Sequence, residues 1–221
     1  MLLYAGMDWT SYQKSSRKID GVAIVAVNSR EALKLACQEA RNLHGLPQTH
    51  SFHGYEDASE IQLTFLQRVL ASGMVLRVGA VIYDSFDGSI EAVNALSDQD
   101  FRHYIGIKLL KEFLPIYPLI KLYPDNDLKG DKQENRFKKE TRGWRDAGYF
   151  DHAPEIIFPK SKKNERKGER KDELVQLADL LIYNLSRYLR GVLVLPEMER
   201  LMKAIYSDND NVIRKLRELE V

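Results

Sequence analysis

The chain has 221 residues, 44% of them hydrophobic and 29% charged, with 33 basic side chains against 32 acidic ones. This composition excludes a disordered, collagen-like or coiled-coil chain. The single cysteine, Cys37, excludes a disulfide framework or a cysteine zinc site and predicts a reducing compartment, and a net charge of +1 names no polyanionic partner by itself.

The longest apolar runs, Met1–Met7 and Val22–Val27, are far shorter than the roughly 20 residues a membrane-spanning helix needs. Met1–Met7 also lacks a preceding positive charge and a cleavage site. The expectation is a cytoplasmic protein without a membrane partner. Leu2–Met7 predicts a short strand ending at Asp8. Gly21–Asn28 predicts a second strand, too close to the first for a helical crossover and therefore antiparallel to it. Ser29 caps a helix to about Leu43, with Gly45 beyond it. Asp57 and Glu60 predict a capping box for a helix carrying Ile61, Phe65, Leu66 and Val69, which ends at Gly73.

Val75–Tyr83 predicts a strand ending at Asp84, and a helix from about Asp98 carries Phe101, Tyr104, Ile105 and Leu109 before Pro115 stops it. Leu119–Tyr123 predicts a strand broken by Pro124 and followed by Asp125. Asp131 and Glu134 cap a helix to about Ala147, and Glu155–Phe158 is a short strand. A long helix spans about Asp172 to Arg190, then two short helices follow, Glu197–Tyr206 and Asn211–Glu220. Strands alternating with helices predict an α/β fold, a mixed sheet flanked by helices over residues 1–191, with a small C-terminal helical extension over 192–221.

Three apolar strands are each followed at once by an aspartate: Asp8, Asp84 and Asp125. Ligands of open α/β sheets bind beyond the carboxyl ends of the strands. If the three strands are parallel, their carboxylates converge at one edge, where they repel one another and a hard cation such as Mg²⁺ or Mn²⁺ relieves the repulsion. A turn-initiating role is the competing reading for any one of them. A fourth carboxylate, Asp179, sits in a helix in which Gln176 and Asp179 are the only polar residues between Leu174 and Ile182. Such a helix is buried, and a buried aspartate needs a donor, a cation or a metal; the alternative is a surface aspartate opposite Leu177, Leu181 and Tyr188.

Several segments together resemble the domain of unknown function 3800 family: the opening Asp8-Trp9-Thr10-Ser11, the Phe52-His53-Gly54 segment, the strand ends at Asp84 and Asp125, Ser161-Lys162, and Gln176-Leu177-Ala178-Asp179. The resemblance spans roughly residues 1–190 and implies a ribonuclease H-like fold. It implies two divalent ions held by Asp8, Asp125 and Asp179, with Asp84 as a rival or supplement to Asp125, and hydrolysis of a phosphodiester in which His53 could transfer a proton. Trp9 replaces the acidic residue of the usual opening, which removes one potential ligand, and 163–171 lengthens the connection before the last helix.

Charge is unevenly spread. Lys160–Lys171 holds seven basic and two acidic residues, a net +5, and Lys129–Arg145 holds seven and three, a net +4, leaving −8 on the rest. The predicted helix in the second stretch has only the thin stripe Phe137, Thr141 and Trp144; its other faces carry Lys132, Arg136 and Lys139 among others. With Lys162, Lys163, Arg166 and Lys167 these residues are the candidate nucleic-acid contacts, against the plainer reading of a solvated face and a charged loop. For Trp9 and Trp144, core packing is preferred over stacking on a base. Two functions compete: a metal-dependent nuclease, and a nucleic-acid-binding or regulatory module without catalysis. The oligomeric state stays open, a homodimer included.

Overall fold

The computed structural model describes residues 2–14, 17–84, 96–125, 131–149, 153–158, 172–193 and 195–216, with the side chains of 11–14, 17–20, 84, 98 and 131–134 outside the description. Six strands form one mixed sheet: β1 (Leu3–Lys14), β2 (Arg17–Val27), β3 (Leu76–Asp84), β4 (Leu119–Pro124), β5 (Glu155–Ile156) and β6 (Val212–Lys215), in the order β5-β4-β1-β2-β3-β6. The β1–β2 and β2–β3 pairs are antiparallel, while β1–β4, β4–β5 and β3–β6 are parallel. The short link between the first two strands permits only the antiparallel arrangement, as the sequence predicts.

Alternation along the central strands divides the core in two. Ala23, Val25, Val27, Val78, Ala80 and Ile82 face one layer of helices: α1 (Arg30–Leu43), α2 (Ser59–Ala71), α5 (Glu173–Leu189) and α6 (Pro196–Ser207). Leu3, Ala5, Met7, Trp9, Val22, Ile24 and Ala26 face the other, formed by α3 (Asp98–Phe113) and α4 (Asp131–Asp146). Among the described residues no helix is long and apolar enough to cross a membrane.

The predicted caps divide. Ser29 Oγ accepts from Ala32 N at 3.2 Å, as expected. Asp57 does not cap α2; Ala58 holds that position with no side-chain hydrogen bond, because the Asp57 carboxylate is engaged in the preceding loop. The expected helix at Asn211–Glu220 is also corrected, since Val212–Lys215 is strand β6. The Asn211 side chain accepts from Val78 N at 2.9 Å and donates to Ile205 O at 2.9 Å, docking the segment on β3. The edge of β3 pairs in parallel with Val212–Lys215, a backbone partner that a helix there would leave unused.

The start of α5 is tied down from three sides. Asp172 caps Leu174 N at 3.0 Å and pairs with Arg30 at 2.5 Å. Arg30 also donates to the Tyr123 hydroxyl at 2.8 Å, with its guanidinium carbon 4.7 Å from the centre of that ring.

On the far layer, His103 of α3 is 2% exposed; its Nε2 lies 3.3 Å from Glu140 of α4, and its Nδ1 has no hydrogen-bond partner among the described residues. Burial pushes its pKa below the ordinary 6.5; Glu140 opposes that shift, Arg136 adds to it and Asp100 opposes it. The folded state therefore binds this proton less well than the unfolded chain does. The contribution of His103 to stability is complete above about pH 6.5 and declines as the pH falls below it. Urea titrations across that window should show His103→Gln losing less stability on acidification than the wild type. Parallel pH profiles would mean that His103 is not the group responsible.

Candidate active site

Asp8 is only 3% exposed, although it sits inside a strand rather than at its end. Its Oδ1 accepts from Trp9 N at 2.7 Å. It pairs across the sheet with Ala23, which pairs with Ala80, so a row of small side chains lies beside it on the face covered by α5. That helix approaches β1 to backbone contact. A Cβ on Gly6 would meet the carbonyl carbon of Leu174 at 2.2 Å and Val175 N at 2.6 Å. Further along, a Cβ on Gly21, the partner of Thr10, would meet the Ile182 side chain at 2.8 Å. Leu174, Ala178 and Ile182 form one i, i+4, i+8 row on the helix, all fully buried. Asp8 lies between Gly6 and Thr10 on the same face, so it sits beneath the middle of α5, in the stretch that carries Asp179.

Asp125 follows β4 on the neighbouring parallel strand. Its backbone N donates to Met7 O at 2.8 Å, which sets it level with Asp8, and it is half-buried. Asp84 is placed elsewhere. β3 does run in the same direction as β1, but Asp8 is level with Ala80, and Asp84 pairs with Ile19. The Asp84 backbone is therefore two strands away, roughly 10 Å, and about 13 Å further along the sheet. The hairpin of β1 and β2 lengthens both strands past Asp8, so an aspartate at the end of β3 does not meet one in the middle of β1. The Asp84 side chain lies outside the described residues.

Asp179 is half-buried and meets the loop before α2. His53 Nδ1 stands 3.5 Å from Asp179 Oδ2, and Gly54 N donates to the same oxygen at 3.4 Å. The loop is held there by its own polar groups. Asp57 Oδ2 accepts from His53 N at 2.7 Å, and its Oδ1 lies 3.0 Å from His50 Nε2. Gln62 donates to Gly54 O and Asp57 O, Asn184 donates to Gln62, and Gln176 accepts from Phe52 N at 2.9 Å. Phe52 stacks on Phe65 with ring centres 4.4 Å apart. The Phe52-His53-Gly54 and Gln176-Leu177-Ala178-Asp179 segments, 124 residues apart at the Phe52–Gln176 bond, are thus hydrogen-bonded to each other.

Gly54 makes this junction possible, because a Cβ there would lie 2.5 Å from the Tyr183 Cβ. Gly54→Ala should push the loop off α5 and cost about 1–3 kcal/mol. The melting temperature should fall by roughly 2–12 °C in differential scanning calorimetry. An unchanged melting temperature would show that the loop does not depend on this approach.

Of the basic candidates, Arg136 and Lys139 lie apart from the acidic ones. Phe137 and Thr141 are buried and Trp144 is partly buried, so α4 packs through the expected stripe. It packs on the far layer, however, with Phe137 beside His103. Arg136 and Lys139 are exposed there and not on the Asp8 face, and Arg136 is paired with Glu140 at 3.3 Å and Asp100 at 3.7 Å. Proximity in sequence to Asp125 does not carry over because α4, the next described helix, packs on the opposite layer. The Lys132 side chain, and Lys162, Lys163, Arg166 and Lys167 entirely, lie outside the described residues. Trp9 is a core residue: its Nε1 donates to Arg102 O at 2.9 Å and it packs against Gly106 of α3. Position 9 faces the far layer, so the residue there does not share a face with Asp8.

Asp8, Asp125 and Asp179 offer carboxylate oxygens, the donors a hard divalent ion prefers. Among the described residues, no group of three or more histidine, cysteine, aspartate or glutamate side chains is arranged to hold an ion. The donor chemistry of the three aspartates alone suits such an ion. Sequence reasoning missed Asp57 as the anchor of His53, and Gln62 and Asn184 behind it. Asp57 carried a misleading capping signal, and nothing local links residues 62 and 184. No protein-family model and no curated protein matches the chain.

Proposed function

We propose that the protein is a metal-dependent hydrolase of phosphodiester bonds on a ribonuclease H-like fold. One observation carries this reading: the buried carboxylate of Asp8 lies under α5 on the same face as Asp179, with Asp125 level with it on the adjoining parallel strand. First strand, a later strand and a late helix are the three sources of carboxylates that the family resemblance implies. A divalent ion held by Asp8, Asp125 and Asp179 would lower the pKa of an attacking water and stabilise the leaving oxygen. The chain's own contributions are specific. Asp57 and Gln62 fix the loop, the loop holds His53 against Asp179, and His53 offers an imidazole for moving a proton at that carboxylate. The test is cleavage of labelled single- and double-stranded oligonucleotides with Mg²⁺ or Mn²⁺, which Asp8→Asn should abolish. Failure of the wild type to cut under either ion would reject the reading.

The second reading, a nucleic-acid-binding module without catalysis, is favoured by the absence of a gathered three-ligand group among the described residues. It expects salt-sensitive binding and no metal-dependent product.

A further inference from the structure

We propose that the strip formed by Tyr55, Tyr183 and Arg187 binds single-stranded nucleic acid, with an unpaired base stacked on Tyr55 and a neighbouring phosphate on Arg187. The proposal deepens the reading above by naming the substrate class, and it rests on nucleic acid being the ligand rather than on cleavage. Helix α5 is buried over most of its surface. Asp179, Tyr183 and Arg187 are half-exposed and follow one another at i, i+4 and i+8, a row of about 12 Å. One side of an otherwise buried helix thus presents an acid, an aromatic and a base in line. The acid end belongs to the candidate active site, so the other two members extend that site along a track.

The loop that carries Tyr55 lies beside this row. The neighbouring Gly54 lies against Tyr183, and His53 lies against Asp179. The Tyr55 residue is 84% exposed, although the loop around it is anchored at His53, Gly54 and Asp57. Held out of the core by an ordered loop, the phenol presents an apolar face to the solvent at little further entropic cost on binding. Arg187 lies over the Tyr183 ring at 5.2 Å and donates to the Tyr183 hydroxyl and to Val192 O. Among the described residues no carboxylate pairs with it, so its remaining N–H groups are available to a phosphate. The faces of bases in a duplex are stacked on one another, whereas a single strand offers them to an aromatic platform.

The experiment is fluorescence anisotropy of the full chain with labelled oligouridylate, oligodeoxythymidylate and a mixed-sequence duplex, in EDTA and in Ca²⁺. Wild type should bind the single strands more tightly than the duplex, the tighter of the two single strands identifying the sugar. Tyr55→Ala should weaken single-strand binding about 5- to 150-fold, whereas Tyr55→Phe should stay within about twofold. Arg187→Ala should flatten the logarithmic salt dependence by about 0.7. Unchanged binding by Tyr55→Ala, preference for the duplex, or no binding in either buffer would overturn the proposal. Tyr55-dependent binding without metal-dependent cutting would sink the hydrolase reading and leave this one standing. Cutting by a protein indifferent to Tyr55→Ala would do the reverse.

Discussion

Gly6→Ala should cost about 3 kcal/mol or more and lower the melting temperature by at least roughly 6 °C. One added methyl group would overlap the Leu174 carbonyl and the Val175 amide, at 2.2, 2.3 and 2.6 Å from the nearest backbone atoms. Backbone atoms in the first turn of a helix cannot rotate away as a side-chain tip can. The start of α5 is also pinned by Asp172 to Arg30, which holds Tyr123 on β4. The helix must therefore lift as a unit or the strand must bend, and either movement separates Asp179 from the Asp8 face. Gly143→Ala provides the control. Gly143 lies within α4 with nothing within 4 Å of an added Cβ, so alanine there should stabilise by about 0.5–1 kcal/mol. Calorimetry on the two variants should give shifts of opposite sign. A Gly6→Ala protein as stable as wild type would mean that α5 is not seated on β1 at this point.

Asp8→Asn should act in only one of two buffers. Without a divalent ion, the amide keeps an oxygen that accepts from Trp9 N, and the variant should melt close to wild type. With Mg²⁺ or Mn²⁺ at about a hundred times its dissociation constant, wild type should gain about 2.7 kcal/mol, or roughly 5–11 °C, while Asp8→Asn should gain nothing. Oligonucleotide cleavage should disappear in the same variant. A wild type whose melting temperature ignores both ions, or a variant that keeps the shift, would remove Asp8 from any metal centre. The isosteric amide keeps the size of the side chain and an oxygen able to accept from Trp9 N, so loss of fold is not the expected confounder.

Much of the frame can be read locally. Apolar and β-branched runs identify β1 to β4, Ser29 marks the start of α1, and the stripe of Phe137, Thr141 and Trp144 identifies the packed side of α4. These features depend on residues within one or two turns, where period and capping chemistry act. Asp57, Asn211 and Asp84 show where that reasoning stops. Asp57 and Asn211 both have cap-forming side chains, but each is taken by a partner that folding brings near: the His50–His53 loop for one, the edge of β3 for the other. Asp84 has the same strand-then-aspartate signature as Asp8 and Asp125, and only the register of β3 against the long β1–β2 hairpin shows that it is out of level.

By itself the sequence determined β1 to β5 and most helices, the antiparallel start, and the burial of the helix that carries Asp179, because each follows from short-range periodicity and chain length. The tertiary structure decided which acids share a face, that the basic helix lies on the other one, and that the loop carrying Tyr55 lies against Asp179 and Tyr183. Those relations are set by strand register and by the backbone contact at Gly6, which join residues far apart in the chain and leave no local trace.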